Sequence, residues 1–166
     1  MAVYSEVISN ESILKSVPEN VKNILIVACG GCMNESLAYK NDCPIFTCEN
    51  DEAIPYASFS EAHRIVEFLN IRGYSSNVKV IPCGTPVLCI YSEDYKFDFH
   101  EDFFQPDAIL ALCCDAGLQG IKLVFSVPVI SITKKRGLLF YTYQDLPNGN
   151  RIILKKKSAT ILDSRG

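Results

Sequence analysis

This sequence lacks most of the features that mark the common enzyme classes. It has only two histidines, His63 and His100, one on a helical stretch and one in an acidic loop. Neither stands in a recognisable motif, and both are expected at the surface. There is no GxGxxG turn, no Walker loop and no GxSxG elbow, so nothing in the sequence argues for nucleotide binding or serine-type hydrolysis. Excess positive charge is absent as well. A net charge of -3 and a pI near 5.4 are a poor match to a nucleic-acid partner. No apolar run approaches the ~18 residues of a membrane span. The opening MAVYSEVISNESILK has neither the basic n-region nor the apolar h-region of a secretory signal. The expectation is a cytoplasmic protein with no membrane and no nucleic-acid partner.

Against these absences stand eight cysteines: Cys29, Cys32, Cys43, Cys48, Cys83, Cys89, Cys113 and Cys114. In a secreted chain an even count suggests disulfides, but a reducing cytosol turns the same residues toward metal or redox chemistry. Each cysteine also has a plainer reading, since an isolated thiol is a small hydrophobe that is often buried for packing alone. The 166 residues suffice for one sizeable core and are short for two. The composition, 48% hydrophobic and 21% charged, is that of an ordinary globular domain.

The hydrophobic pattern divides the chain. Residues 1–20 form a short amphipathic N-terminal arm. Asn23 to Ala28 is an apolar run of strand length. Residues 33–57, with Cys43, Pro44, Cys48 and Pro55, have weak periodicity and read as a long loop with one helical turn. Ser58 and Glu61 form a capping box, Ala62, Ile65, Val66 and Leu69 an apolar stripe, and Gly73 a stop, which together predict a helix. Val78 to Ile81, Ala108 to Leu112 and Val127 to Ile132 are further strand-like runs. A helix over Gly117 to Phe125, with Asp115 as its N-cap, separates the last two. Pro86 to Tyr91 fits a short strand or a loop, and residues 92–106 (SEDYKFDFHEDFFQP) fit a surface connection with one short helix. Runs apolar on both faces, alternating with helices, imply a mostly parallel sheet of about four strands with helices on both faces. Leu138 to Tyr143 and Arg151 to Leu154 flank Pro147-Asn148-Gly149, which reads as a C-terminal antiparallel hairpin (residues 138–157) on the sheet edge. Lys155 to Lys157 fit a lysine-blunted edge strand. The whole, residues 1–166, reads as a single α/β domain.

The cysteines gather at particular points of this pattern. In an open parallel sheet the carboxyl ends of the strands share one rim, where ligands bind. Cys29 leaves the first strand, Cys83 the second, and Cys113 and Cys114 the third, while Cys32 lies one turn beyond Cys29. Thiolates ligate zinc and iron-sulfur clusters. The candidate metal ligands are therefore Cys29, Cys32, Cys83 and Cys114, with Cys113 expected to pack beneath the site. Gly30 and Gly31 permit positive φ and expose amides toward the thiolates, and Asp115 is placed just behind them. Cys43 and Cys48 are a second candidate pair, at a weakly diagnostic spacing. Cys89, in an apolar stretch, is expected to pack in the interior.

Two stretches, VACGGCMNES and LCCDAGLQGIKLVFSVPVISIT, together resemble the iron-sulfur accessory subunit of anaerobic methylenetetrahydrofolate reductases, also called that enzyme's C-terminal family. The family pattern is a strand followed by C-x2-C-x3-C, and later a strand, C-G-x-G-x-Q, a helix and a P-V strand. Cys114, Gly117, Gln119, Pro128 and Val129 match the second motif. Ser36 replaces the third cysteine of the first, and Asp115 replaces a glycine. A downstream cysteine-rich segment of such subunits has no counterpart. The resemblance implies a cluster- or metal-binding α/β module that works beside a redox or one-carbon enzyme.

The sequence thus supports a cysteine-rich accessory or electron-transfer module that carries an iron-sulfur cluster or zinc and has a protein partner, a redox enzyme or subunit. A second reading is a thiol-disulfide oxidoreductase using the Cys29-Cys32 dithiol, with a helix N-terminus lowering the thiol pKa. A third is a structural or interaction protein whose cysteines are merely buried.

Overall fold

The structure, a computed structural model, describes residues 1–50, 52–82, 89, 105–154 and 159–163. Its centre is a four-stranded parallel sheet in the order β5-β2-β6-β7, made of β2 (Asn23–Cys29), β5 (Ser75–Ile81), β6 (Ala108–Leu112) and β7 (Val129–Ser131). The two middle strands explain themselves. Every residue of β6, and every residue of β2 after Asn23, is buried, so both faces of these strands are covered and alternation disappears.

The strand order fixes where the helices lie. From β2 the chain passes through α2 (Cys32–Asn41) and α3 (Tyr56–Ile71) and returns on the β5 side. From β6 it passes through α4 (Asp115–Val124) and returns on the opposite side, at β7. Right-handed crossovers running in opposite directions put α2 and α3 on one face of the sheet and α4 on the other. The gap between the carboxyl ends of β2 and β6 is therefore the topological switch point.

The chain leaves this sheet through Ile132, which is fully buried, and enters a second, antiparallel sheet. There β8 (Thr133–Phe140) lies between β1 (Ala2–Val7) and β11 (Thr160–Asp163). The β1–β8 register slips between Tyr4 and Ser5, leaving Arg136 as the bulged residue, and its Nε donates to Glu6 at 2.7 Å. Beside the bulge, a Cβ on Gly137 would run into the backbone carbonyl of Leu162, so the close approach of β11 requires glycine. Gly137→Ala is expected to cost at least ~1–3 kcal/mol by overpacking; a urea midpoint equal to that of the unmutated protein would contradict it.

Three local readings need correction. Residues 33–57 are not a loop with one turn, because α2 runs for ten residues and is followed by a hairpin of β3 (Thr47–Glu49) and β4 (Glu52–Ile54). The helix was hidden because its buried side includes the polar Asn34 and Ser36. Helix α3 begins at Tyr56 after Pro55, so Ser58 is not a cap but a buried residue inside the first turn. The C-terminal hairpin pairs β9 (Tyr143–Asp145) with β10 (Arg151–Ile153) as a separate two-stranded sheet, while Leu138 belongs to β8. Gly73 does end α3, at φ +88°. The expectations for Cys83, His100, Lys155 to Lys157, and nearly all of residues 86–106 fall outside the described residues.

A thiol site between two helix N-termini

Cys29 is the last residue of β2. Register places Ala28 opposite Leu112, so Cys29 and Cys113 are neighbours at the strand exits. After Cys29 the chain turns sharply. The Gly30 N–H donates to the carbonyl of Ile81 at 2.8 Å, and the Gly31 N–H donates to Cys29 Sγ at 3.3 Å. Gly31 is the N-cap of α2, with φ -93°. Neither Gly30 nor Gly31 is among the residues with positive φ, so the expected left-handed turn is not what they supply. What they supply is amides, one of them directed at a sulfur.

Cys32 is the first residue of α2, and Cys114 is the N-cap of α4. The switch point brings these two helix starts together from opposite faces, and the Cys32 and Cys114 thiols lie close enough for each to shift the other's acidity. Hydrogen bonding from Cys32 lowers the Cys114 pKa from 9.0 to about 6. The amides of Gly117, Ala116 and Cys114 itself act in the same direction, against the opposing effect of burial. This is how a helix start favours a thiolate: amides without helical partners point at the sulfur, and the helix dipole has the right sign. Cys32 responds in the opposite sense. Its pKa is raised first by the neighbouring Cys114 and then by burial, with the Val3 backbone amide pulling the other way. Of the two sulfurs, Cys114 is thus the one that more readily carries a negative charge.

Cys113 is buried, and burial raises its pKa, helped by the nearby Cys29, Cys114, Asp115 and Cys89. Its carbonyl accepts the Thr133 hydroxyl at 2.6 Å. Cys113 is therefore held as a neutral thiol beside Cys29 and Cys114. Asp115 is not the cap of α4 but its first residue, and it is exposed. Cys89 is exposed, which overturns its expected place in the interior. Cys43 is half-buried just after α2 and Cys48 is exposed in β3, with the Cys48 side chain against Gly149.

The polar residues that hold the site were not evident in the sequence as parts of it. Ser58 Oγ donates to the carbonyl of Cys29 at 2.7 Å. Asn34 receives the Ser58 N–H at 2.8 Å and donates to the carbonyl of Ile45 at 2.7 Å. Ser36, fully buried, lies between the carbonyls of Cys32 and Val3, at 2.8 and 3.1 Å, and accepts the Ser5 N–H at 3.2 Å. The Ser36 hydroxyl thus ties α2 to β1. Glu35, on the first turn of α2, has its pKa raised by burial, with the nearby Tyr141 side chain acting the other way.

Among the described residues, no three of His, Cys, Asp and Glu are grouped to hold a metal ion. The described part of the site is therefore a pair of facing thiols and not a complete cage; Cys83 lies outside it. The chain matches no protein-family model, and no curated protein or solved structure matches it either.

Proposed function

We propose that this protein is a thiol redox module whose working pair is Cys32 and Cys114. The observation that carries the reading is the placement of these two thiols at the starts of α2 and α4, close enough to shift each other's acidity, with amides of the first turn of α4 favouring the Cys114 thiolate. A thiolate is the nucleophile in disulfide exchange, and a neighbouring thiol is needed to resolve the product. The Cys114 thiolate attacks one sulfur of a small-molecule or protein disulfide and expels the other as a thiolate, which takes a proton from water. Cys32 then gives up its proton and attacks Cys114 Sγ, releasing the second substrate thiol. The pair loses two electrons to become a disulfide, and the substrate disulfide gains them to become two thiols. Cys32 is the more exposed of the two, while the Cys114 residue is only 6% exposed, so a substrate sulfur enters past Cys32. This replaces the Cys29-Cys32 dithiol by Cys32 and Cys114.

A second reading is the accessory or electron-transfer module with zinc or an iron-sulfur cluster, beside a redox or one-carbon enzyme. It is favoured by a specific observation: two helix N-termini face one point, with Cys29 and Cys113 nearby. That environment suits the net negative charge of a metal-thiolate centre. One experiment separates the two. The protein is purified anaerobically, its absorption spectrum recorded, and its zinc, iron and sulfide measured. Metal-free protein is then treated with oxidised glutathione and its disulfides mapped by mass spectrometry. The dithiol reading expects a Cys32–Cys114 disulfide that is lost in C32S and in C114S. Stoichiometric metal that is lost in both variants moves the assignment to the second reading. Neither metal nor this disulfide overturns both.

A further inference from the structure

Two thiols at the same rim, Cys29 and Cys113, have no part in the exchange described above. The parallel register of β2 and β6 runs to Ala28 opposite Leu112, so one residue further it sets Cys29 against Cys113. Side chains alternate along a strand, and the alternation sends both to the same face. Adjacent strands lie ~4.7–4.9 Å apart, within the ~4.4–6.8 Å between Cα atoms that a disulfide spans. Cys113 stands just past the end of β6, where the ladder to β2 has stopped, so no paired backbone opposes the small shift that a bridge needs. The Cys29 sulfur is also turned toward the start of α2: it accepts the Gly31 N–H at 3.3 Å, and Cys32 is the next residue. Cys29 therefore stands between Cys32 and Cys113. Cys113, only 1% exposed, is the closed end of the row. A bridge from it to Cys114 would join adjacent residues in a small strained ring, which leaves Cys29 as its partner.

We propose that Cys29 and Cys113 are a second, interior dithiol that takes over the disulfide first formed by Cys32 and Cys114; this rests on the dithiol reading above. The transfer is ordinary thiol–disulfide exchange, and it runs through the Cys29-Gly30-Gly31-Cys32 turn. The Cys29 sulfur attacks the Cys32 sulfur of the Cys32–Cys114 bridge, so that a Cys29–Cys32 bond forms as the Cys32–Cys114 bond breaks. Cys113 then attacks the Cys29 sulfur, which forms the Cys29–Cys113 bond and releases Cys32. Cys29 and Cys113 lose one proton each, and Cys114 and Cys32 gain one each. Two electrons pass from the interior pair to the outer pair, so the only oxidant consumed is the original substrate disulfide. The outer dithiol is then reduced again and can meet a second substrate disulfide through the same entrance.

The test uses the full chain, reduced and freed of metal with chelator, and oxidised glutathione as the substrate. Samples are quenched with acid at intervals, alkylated, and their bridges mapped by tandem mass spectrometry. The peptide that carries Cys29 and Cys32 should gain one bridge to the peptide that carries Cys113 and Cys114, and later a second. Cys113→Ala should gain the first bridge and stop there, which also shows that this variant is folded. Cys114→Ser, checked for a retained urea transition, removes the entrance and should lose the Cys29–Cys113 bridge as well. A Cys29–Cys113 bridge that forms in C114S as fast as in the unmutated protein overturns the transfer. Unmutated protein that keeps the Cys32–Cys114 bridge alone, with Cys29 and Cys113 still thiols at the end point, overturns the interior pair and leaves the dithiol reading standing. Absence of a Cys32–Cys114 bridge at every time point, in both the unmutated protein and C113A, overturns the dithiol reading itself.

Discussion

Replacing Cys32 with alanine is expected to move the titration of Cys114 upward by roughly 1–2 pH units. The Cys114 pKa is lowered from 9.0 to about 6, and the neighbouring Cys32 thiol is the largest cause. A hydrogen bond to a charged group contributes ~1.5–3 kcal/mol, and ~1.4 kcal/mol corresponds to one pKa unit. The amides of Gly117, Ala116 and Cys114 remain in the variant, so the midpoint should stay below that of an unperturbed thiol. The rate of Cys114 alkylation against pH, read peptide by peptide, is the measurement. Above the midpoint the rate levels off, and below it the rate falls tenfold per unit. A C32A midpoint that remains at about 6 would mean that the helix start alone sets the acidity. The linkage to stability has a definite sign. The folded pKa of Cys114 is below the ordinary thiol value of 9.0, so its stabilising contribution is fully present above that value and is lost as pH falls through about 6.

Asn34→Ala is expected to destabilise the protein more than any exposed substitution, by roughly 2–6 kcal/mol. Asn34 is fully buried, and its amide group satisfies both the Ser58 N–H and the Ile45 carbonyl. Removing it leaves two interior polar groups without their partner, at ~1–3 kcal/mol each. The same change loosens the start of α3 against α2, and with it the Ser58 bond to the Cys29 carbonyl. Urea unfolding gives the magnitude; a loss under ~1 kcal/mol would mean that water replaces the amide at little cost.

The parallel sheet was legible because its strands are buried on both faces. Ala108 to Leu112 and Asn23 to Ala28 had no pattern other than strand-length apolar runs, and both lie in central strands. The strand exits were legible for the same reason, which is why Cys29 and Cys114 could be placed at one rim. Helix α2 was not legible. Its core-facing positions include Asn34 and Ser36, whose hydrogen bonds come from β1, α3 and the Ile45 segment, far away in sequence. Periodicity measures apolar burial, so it misses a helix buried through satisfied polar groups. The pairing of Cys32 with Cys114 was only half visible. Their common rim follows from the βα order, but the choice of partner depends on where two helices begin, and helix boundaries are the least readable feature of a sequence. Ser58 misled because serine before a helix and serine within its first turn look alike until the backbone is seen.

The anchoring of α2 has a consequence for motion. Asn34 ties the helix to α3 and Ile45, and Ser36 ties it to β1. Helix α4 is held differently: Asp115, Ala116, Gln119, Lys122 and Leu123 all face solvent. In the proposed dithiol, bringing the two sulfurs to the ~2.05 Å of a covalent bond requires one helix start to shift. Among the described residues, the side with fewer fixed polar attachments is α4. In that reading Cys32 is the anvil of the pair, and the compliance resides in the first turn of α4.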